Sequence, residues 1–392
     1  MEHPEERYYK LNRFYLSVTG LWPYQSTWRA RFSRTIITII MLSCLFTQIS
    51  SIFTSDVDLD FLSDSLIMIM PTVGNLTHLY SRLVNIDKFK ELYELMWDDW
   101  ALEKTDDEIK IMHQYAETAR VATIYCSVTI YTIIIGYIVW LFIPVVFGII
   151  RPVNESLLQS AIHVEFYIDV EQYIYIVLFY LSIVIILIPL VFLASMSLYL
   201  TVTHHVCGMC ELLGNRAEHL FYVIKDETER DLIRGTKISC KNIVFFVQQH
   251  SNIIRFVNLI ETSHTLPFLM DLIGMVTSIS FSLLKLSFGT RIENRSAIFV
   301  SITLIIIDMI YLILPNYMGQ KITDMSSILC EKVYNSAWYN ADVSQQKSLL
   351  LIMCRRFYPL VLTACKFYPM SLPSFKMIFQ MAVTYFMFMR KI

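Results

Sequence analysis

From Gln172 to Cys210 the chain runs 39 positions without one Asp, Glu, Lys or Arg. A bilayer explains so long an uncharged stretch. Its hydrocarbon layer of about 30 Å needs about 20 mostly apolar residues at about 1.5 Å of rise each. Five further stretches read the same way: Thr35–Ser55, Ser65–Ser81 with Pro71 and Gly74, Val121–Ile150 between Arg120 and Arg151, Leu266–Phe288 with Asp271 and Lys285, and Ser296–Gln320 with Asp308. A last apolar run, Met377–Met389, has 13 residues, about 20 Å of helix, and spans only if Lys376, Arg390 and Lys391 snorkel to the two interfaces. The expected fold class is therefore all-α, a polytopic membrane protein of seven transmembrane helices. Composition agrees, with 55% hydrophobic and 17% charged residues, which excludes a disordered chain, while 10 glycines without a triplet period exclude a fibrous one. A net charge of −2 gives no attraction for nucleic acid.

The N-terminal MEHPEERYYK lacks the apolar core of a signal peptide, so it is expected to remain and to stay in the cytosol. Seven spans then put segments 1–34, 82–120, 205–265 and 321–376 inside and the C-terminus outside. Those inner segments hold 26 of the 32 Lys and Arg, as the positive-inside rule requires. Of the sequons, Asn154 and Asn294 fall in outer loops and Asn75 inside span two; Asn154 is the expected glycosylation site. The eight cysteines all lie in spans or inner segments, which argues against an extracellular disulfide.

The inner segments carry apolar stripes at helical spacing. These are Leu83, Ile86, Phe89, Leu92, Met96 and Trp100; then Val244, Val247, Ile254, Val257 and Ile260; then Ile322, Met325, Leu329, Val333 and Ala337. Residues 203–264 read as two long helices with one break near Gly235 and Thr236. Either spans four to six continue beyond the membrane as a cytosolic helical layer, or these are helices lying on the membrane surface.

Enzyme chemistry has no footing. No GxG, GxSxG or HExxH occurs, and no cofactor is implied. His204, His205, Cys207 and Cys210 form a CxxC with adjacent histidines, but on a helix only His204, Cys207 and Glu211 share a face. Asp308, at the centre of span six, is costly there and has two readings: a coupling residue of a transporter, or a structural carboxylate bonded to Tyr, Ser or Thr of a neighbouring span. Aromatics Tyr137, Trp140, Phe142, Tyr173, Tyr175, Phe179 and Tyr180 crowd the outer halves of spans three and four. They serve either as an interfacial belt or as the lining of an apolar cavity, with Gly136 leaving room beside Trp140.

The C-terminal stretch carries a further signal: Pro359 to Ala364 (PLVLTA), then Phe367-Tyr-Pro-Met-Ser-Leu372 with Phe375, and Tyr385-Phe386 near the end. It resembles the signature end of the insect odorant receptors. The match in residues covers about the last 60 positions, beginning near Tyr334-Asn-Ser-Ala-Trp338, while the layout of seven spans covers the chain. The related gustatory receptors end in Gln-Phe, where Arg390-Lys391 stand here.

The resemblance implies a heterotetrameric, ligand-gated, non-selective cation channel in the plasma membrane of a sensory-neuron dendrite. Its partners are odorant co-receptor subunits, a small apolar volatile ligand, the lipid bilayer and permeant cations. It implies the segments 1–34 (cytosolic N-terminus), 35–204 (spans one to four with the ligand bundle), 205–265 (anchor helices), 266–320 (spans five and six), 321–370 (anchor and linker) and 371–392 (pore-lining helix). Carried onto this sequence, the ligand-binding candidates are Ile133, Gly136, Tyr137, Trp140, Phe179, Tyr180, Ile183, Leu66, Met70, Phe299 and Thr303. The pore candidates are Met381, Thr384, Tyr385, Phe388 and Lys391. The alternatives are a gustatory-type homomeric channel, a G-protein-coupled receptor with the opposite orientation, and a transporter, for which no matching halves are visible.

Overall fold

A computed structural model describes residues 7–54, 59–150, 173–226, 229–232, 240–291 and 295–391. Apolar runs without backbone partners outside themselves must close their hydrogen bonds within one helix, and these do. The elements are α1 (Lys10–Val18), α2 (Thr27–Thr54), α3 (Leu59–Val84), α4 (Ile86–Ala101), α5 (Asp106–Ile150) and α6 (Ile174–His219). A hairpin of β1 (Tyr222–Asp226) and β2 (Glu229–Leu232) follows. Then come α7 (Cys240–Arg291), α8 (Arg295–Asn335), α9 (Val343–Cys354), the two-residue strands β3 (Thr363–Ala364) and β4 (Tyr368–Pro369), and α10 (Leu372–Met389). The protein is all-α apart from these short pairs. Among the described residues, α2, α5, α6, α7 and α8 each hold a stretch long and apolar enough to cross a membrane. With α3 and α10 they make seven helices of 18 residues or more.

α5 packs along α6, α7 is sandwiched between α3 and α8, and α10 leans on α7 and α8, leaving α2 at the periphery against α3 and α6. The core follows the centre of this bundle through Tyr199, Phe192, Phe256, Ile260 and Ile279, all buried.

α6, α7 and α8 run 46, 52 and 41 residues without a break. That is about 69, 78 and 62 Å of helix, two membrane thicknesses rather than one. The second and third inner stripes therefore belong to continuous helices, α7 and α8, that pack on one another, while the first lies on the separate α4 with Leu83 at the end of α3. On α7 the expected Val257 and Ile260 are buried, but the first half of the stripe is displaced by one residue: Ile243, Phe246 and Ile253 are buried, while Val244 is exposed. The expected break at Gly235 and Thr236 lies outside the described residues, and the first of the two helices expected over 203–264 already ends at His219, followed by the β1–β2 hairpin, paired Tyr222 to Leu232 and Ile224 to Arg230. Tyr222, Val223 and Ile224 are the aromatic and β-branched residues that favour strand over helix.

Short polar devices join the inner layer. Thr105 and Glu108 cap α5 reciprocally, and Glu108 also accepts Arg216 Nη2 of α6 at 3.0 Å. Tyr115 donates to Glu211 at 2.5 Å, and Lys332 of α8 donates to Asn215 of α6 at 2.7 Å. In the connection between α4 and α5, Lys104 folds back on the Asp99 carbonyl. Burial pulls its ammonium pKa below the usual value, while the Asp99 carboxylate opposes that shift. Gly20 ends the turn after α1 in the left-handed region, with φ at 71°. A Cβ there would stand 2.5 Å from the Ala30 carbonyl oxygen.

Candidate functional site

Three outer-half aromatics come together. On α5, Tyr137 and Trp140 lie one turn apart with ring centroids 5.6 Å apart, and Trp140 meets Phe299 of α8 at 5.9 Å. Their planes are inclined by 32° and 35°, so the three rings form a tilted ladder between spans three and six. Ile133, one turn below Tyr137, is half-buried, and so are Leu66 and Met70 of α3 and Thr303 of α8. Thr303 spends its hydroxyl on the Phe299 carbonyl at 2.9 Å, which leaves its methyl as the free surface.

The outer-half aromatics of α6 do not join this cluster. Val177, Leu178 and Val184 take the buried face of α6, and at 100° per residue this turns Phe179 outward, 68% exposed. Tyr180 points to α2, where its hydroxyl meets Ser43 Oγ at 2.8 Å. Ile183 stays half-buried beside it. Gly136 lies on the exposed face of α5, and a Cβ there would meet nothing within 4 Å, so it makes no close approach to Trp140. Asn154 lies outside the described residues.

Deeper in the bundle is a polar network the sequence reading missed. His78 of α3 bonds Ser195 Oγ of α6 at 2.7 Å through Nδ1 and Asp271 Oδ2 of α7 at 2.9 Å through Nε2. Arg82 donates to the Ser195 carbonyl at 2.8 Å and lies over the Phe89 ring at 4.7 Å. Counting only Asp, Glu, Lys and Arg passed over His78, and Arg82 fell one residue past the expected end of span two; spacing alone could have paired the two as i and i+4. Asp308 resolves as the bonded structural carboxylate, since Ser278 Oγ donates to its Oδ2 at 2.5 Å.

α10 begins five residues before the apolar run that announced it. Ser371 caps it by accepting the Ser374 amide at 3.2 Å, and Pro373 sits in the first turn, where its missing N–H costs nothing. Ile378 and Ala382 are buried against the bundle, and Ser280 of α7 donates to the Ala382 carbonyl at 2.9 Å. The other face carries four pore candidates, Met381, Thr384, Tyr385 and Phe388, exposed in the single chain, with Phe388 at 64%, and the fifth, Lys391, is exposed two residues past the helix end.

The linker into α10 is clamped at both sides. Asn316 Oδ1 of α8 accepts the Tyr368 hydroxyl at 3.0 Å and the Ser371 amide at 3.2 Å. Glu261 of α7 accepts Lys366 Nζ at 2.7 Å and the Thr363 hydroxyl, and Thr265 Oγ1 accepts the Cys365 amide at 2.6 Å. Cys365 and Lys366 turn the chain between β3 and β4 at φ 51° and 66°. The residues of the C-terminal signature thus hold the last helix to its neighbours.

The family profile described as 7tm Odorant receptor matches residues 58–383. The chain belongs to that odorant receptor family. It is a multi-pass membrane receptor and not an enzyme. Odorant receptor Or2 of Anopheles gambiae is 24% identical over 327 residues, which is 79% of each chain. Odorant receptor 10 of Aedes albopictus is 26% identical over 153 residues, 38% of this receptor and 39% of that one. Among solved structures, the olfactory receptor OR5 of Machilis hrabei in complex with eugenol superposes with a TM-score of 0.81, covering 98% of both chains at 13% identity. A second structure of the same receptor gives 0.77 at 14% identity, covering 98% and 97%. At such identity the likeness is one of fold.

Proposed function

We propose that this odorant receptor is the odour-binding subunit of a ligand-gated, non-selective cation channel, a heterotetramer with the odorant co-receptor in the plasma membrane of a sensory dendrite. The observation that carries the reading is the two-sidedness of α10. One face is fixed to α7 through Ile378, Ala382 and Ser280, and the other holds Met381, Tyr385 and Phe388 in the open, where other subunits would close a pore around them. Phe388 is the hydrophobic constriction and Lys391 lies near the outer mouth, at the polar pore position. A ring of four lysines there would repel cations, so a tetramer made of this chain alone conducts poorly and co-receptor subunits dilute the charge.

The ligand lies in the outer half, between α3, α5, α6 and α8, against Trp140, Tyr137, Phe299, Ile133, Thr303 and Met70. It is a small apolar molecule held mainly by burial. The solved relative in complex with eugenol supports this class. With N-terminus inside, 205–265 and 321–370 form the cytosolic anchor shared between subunits. Recording odour-gated current with and without the co-receptor tests the reading; a robust cation current from this chain alone overturns it and favours the gustatory-type homomer.

A further inference from the structure

Gly74 of α3 and Gly274 of α7 face each other and leave a crevice of about 10 Å³, room for about one water-sized body, bounded by α8. A Cβ on Gly74 would come 3.4 Å from Asp271 Oδ1, and one on Gly274 would come 3.6 Å from the Met70 Cβ. The polar lining residues, Asn75, Asp271, Ser278, Asp308 and Tyr311, each carry a side-chain oxygen. Asp308 is 4% exposed and Asn75 is 3% exposed. Asn75 gives its Nδ2 to the Pro71 carbonyl at 2.8 Å, while its buried Oδ1 has no hydrogen-bond partner.

The crevice is lined by two carboxyl groups and by no Lys or Arg. Asp271 has His78 on Oδ2. Arg82, the nearest guanidinium on α3, is directed to Ser195. Asp308 has the Ser278 hydroxyl, and no Lys or Arg among the described residues forms an ion pair with it. A carboxylate in the hydrocarbon layer without a cation is among the costliest placements a membrane protein can make. Carboxylate and amide oxygens suit hard cations over soft metals, and carbonyl-type oxygens can replace an ion's hydration shell where space admits only the bare ion.

We propose that this crevice binds one dehydrated sodium ion, held by Asp308, the Asn75 Oδ1, Asp271 and the Ser278 hydroxyl. The position gives the ion leverage. Ser278 lies two residues from Ser280, whose hydroxyl holds the Ala382 carbonyl of α10, so an ion that fixes Ser278 stiffens the part of α7 that holds the last helix.

This inference does not depend on the channel reading, and its test needs no current. The full chain carries a fluorescent tag and is co-expressed with its partner subunits. Solubilised membranes are then heated in sodium, potassium or choline chloride at matched ionic strength, and the surviving monodisperse fraction gives a melting midpoint. Sodium should raise the midpoint by a few degrees over choline, saturably and more than potassium does. Asp308→Asn keeps the shape and the Ser278 bond but should abolish the rise. Should that variant not fold, Asn75→Ala should move the sodium dependence to higher concentration. Equal midpoints in sodium and choline, equal rises in sodium and potassium, or an undiminished rise in Asp308→Asn each overturn the proposal in favour of a water or a proton.

Discussion

Tyr368 and Asn316, 52 positions apart, share a buried hydrogen bond of 3.0 Å that fixes the entry of the last helix to the inner half of α8. The same Asn316 oxygen accepts the Ser371 amide, and its Nδ2 donates to the Leu312 carbonyl at 2.7 Å. One side chain therefore serves three partners. Asn316→Ala leaves the Tyr368 hydroxyl and the Ser371 amide unpaired and should cost about 1–3 kcal/mol. Tyr368→Phe removes one donor and leaves the Ser371 bond, so its melting midpoint should fall less. A larger fall for Tyr368→Phe than for Asn316→Ala would refute this division.

Gly319 lies one turn further along α8, where the linker crosses closest. A Cβ there would run into the Met370 carbonyl oxygen, which is backbone and cannot swing away. Gly319→Ala should destabilise by about 1–3 kcal/mol through displacement of the linker, although alanine favours helix. Surface labelling and melting of the tagged receptor would report it; a neutral or stabilised variant would show that the linker yields freely.

Five spans were legible because hydrocarbon thickness sets a length that sequence must supply; Ser65–Ser81 and Met377–Met389 fall short of that length, and the second gained weight from the signature residues around Tyr368 and Ser371. What sequence could not give was azimuth. Phe179 and Tyr180 are neighbours in an uncharged run, and only the packing of Val177, Leu178 and Val184 decides that one faces outward and the other reaches Ser43. The same holds for the α7 stripe, where Val244 and Ile243 are equally apolar and only the second is buried. His78, Asp271 and Ser195 come from three helices, and no local spacing encodes such a meeting. Trp140 with Tyr137 was legible as an i and i+3 pair; its contact with Phe299, 159 positions away, rests on how α5 and α8 cross.

Ser280 ties α7 to the backbone of α10. Ser280→Ala removes the bond to the Ala382 carbonyl; such bonds within membranes contribute on average about 0.6 kcal/mol, about threefold in an equilibrium. The odour concentration–response midpoint should move by about threefold while the ranking of odours is kept, because no ring of the outer cluster changes. A changed ranking would mean that Ser280 bears on ligand selection instead.

Trp140 is the centre of the aromatic ladder, touching Tyr137 on one side and Phe299 on the other. If about 40 Å² of its ring faces the ligand, at about 25 cal/mol per Å² the loss in Trp140→Ala is about 1 kcal/mol, about fivefold in sensitivity. Co-receptor agonist currents should persist, and Phe179→Ala, altering only an outward ring, should leave the odour profile as it was. An unchanged profile in Trp140→Ala would remove the outer cluster as the ligand site.

Lys391 follows directly on the exposed face of α10, about one turn beyond Phe388. In a pore shared with co-receptor subunits, its charge acts on permeant cations through water, so the effect must depend on salt, with a Debye length of about 8 Å at physiological strength and about 30 Å at 0.01 M. Lys391→Glu should raise single-channel cation conductance and the relative permeability to divalent ions, and the gain should grow as the bath is diluted. Lys391→Ala should fall between the two. Recordings from the co-expressed channel at two ionic strengths decide it: a conductance indifferent to the sign of residue 391 at low salt would place this helix end outside the conduction path.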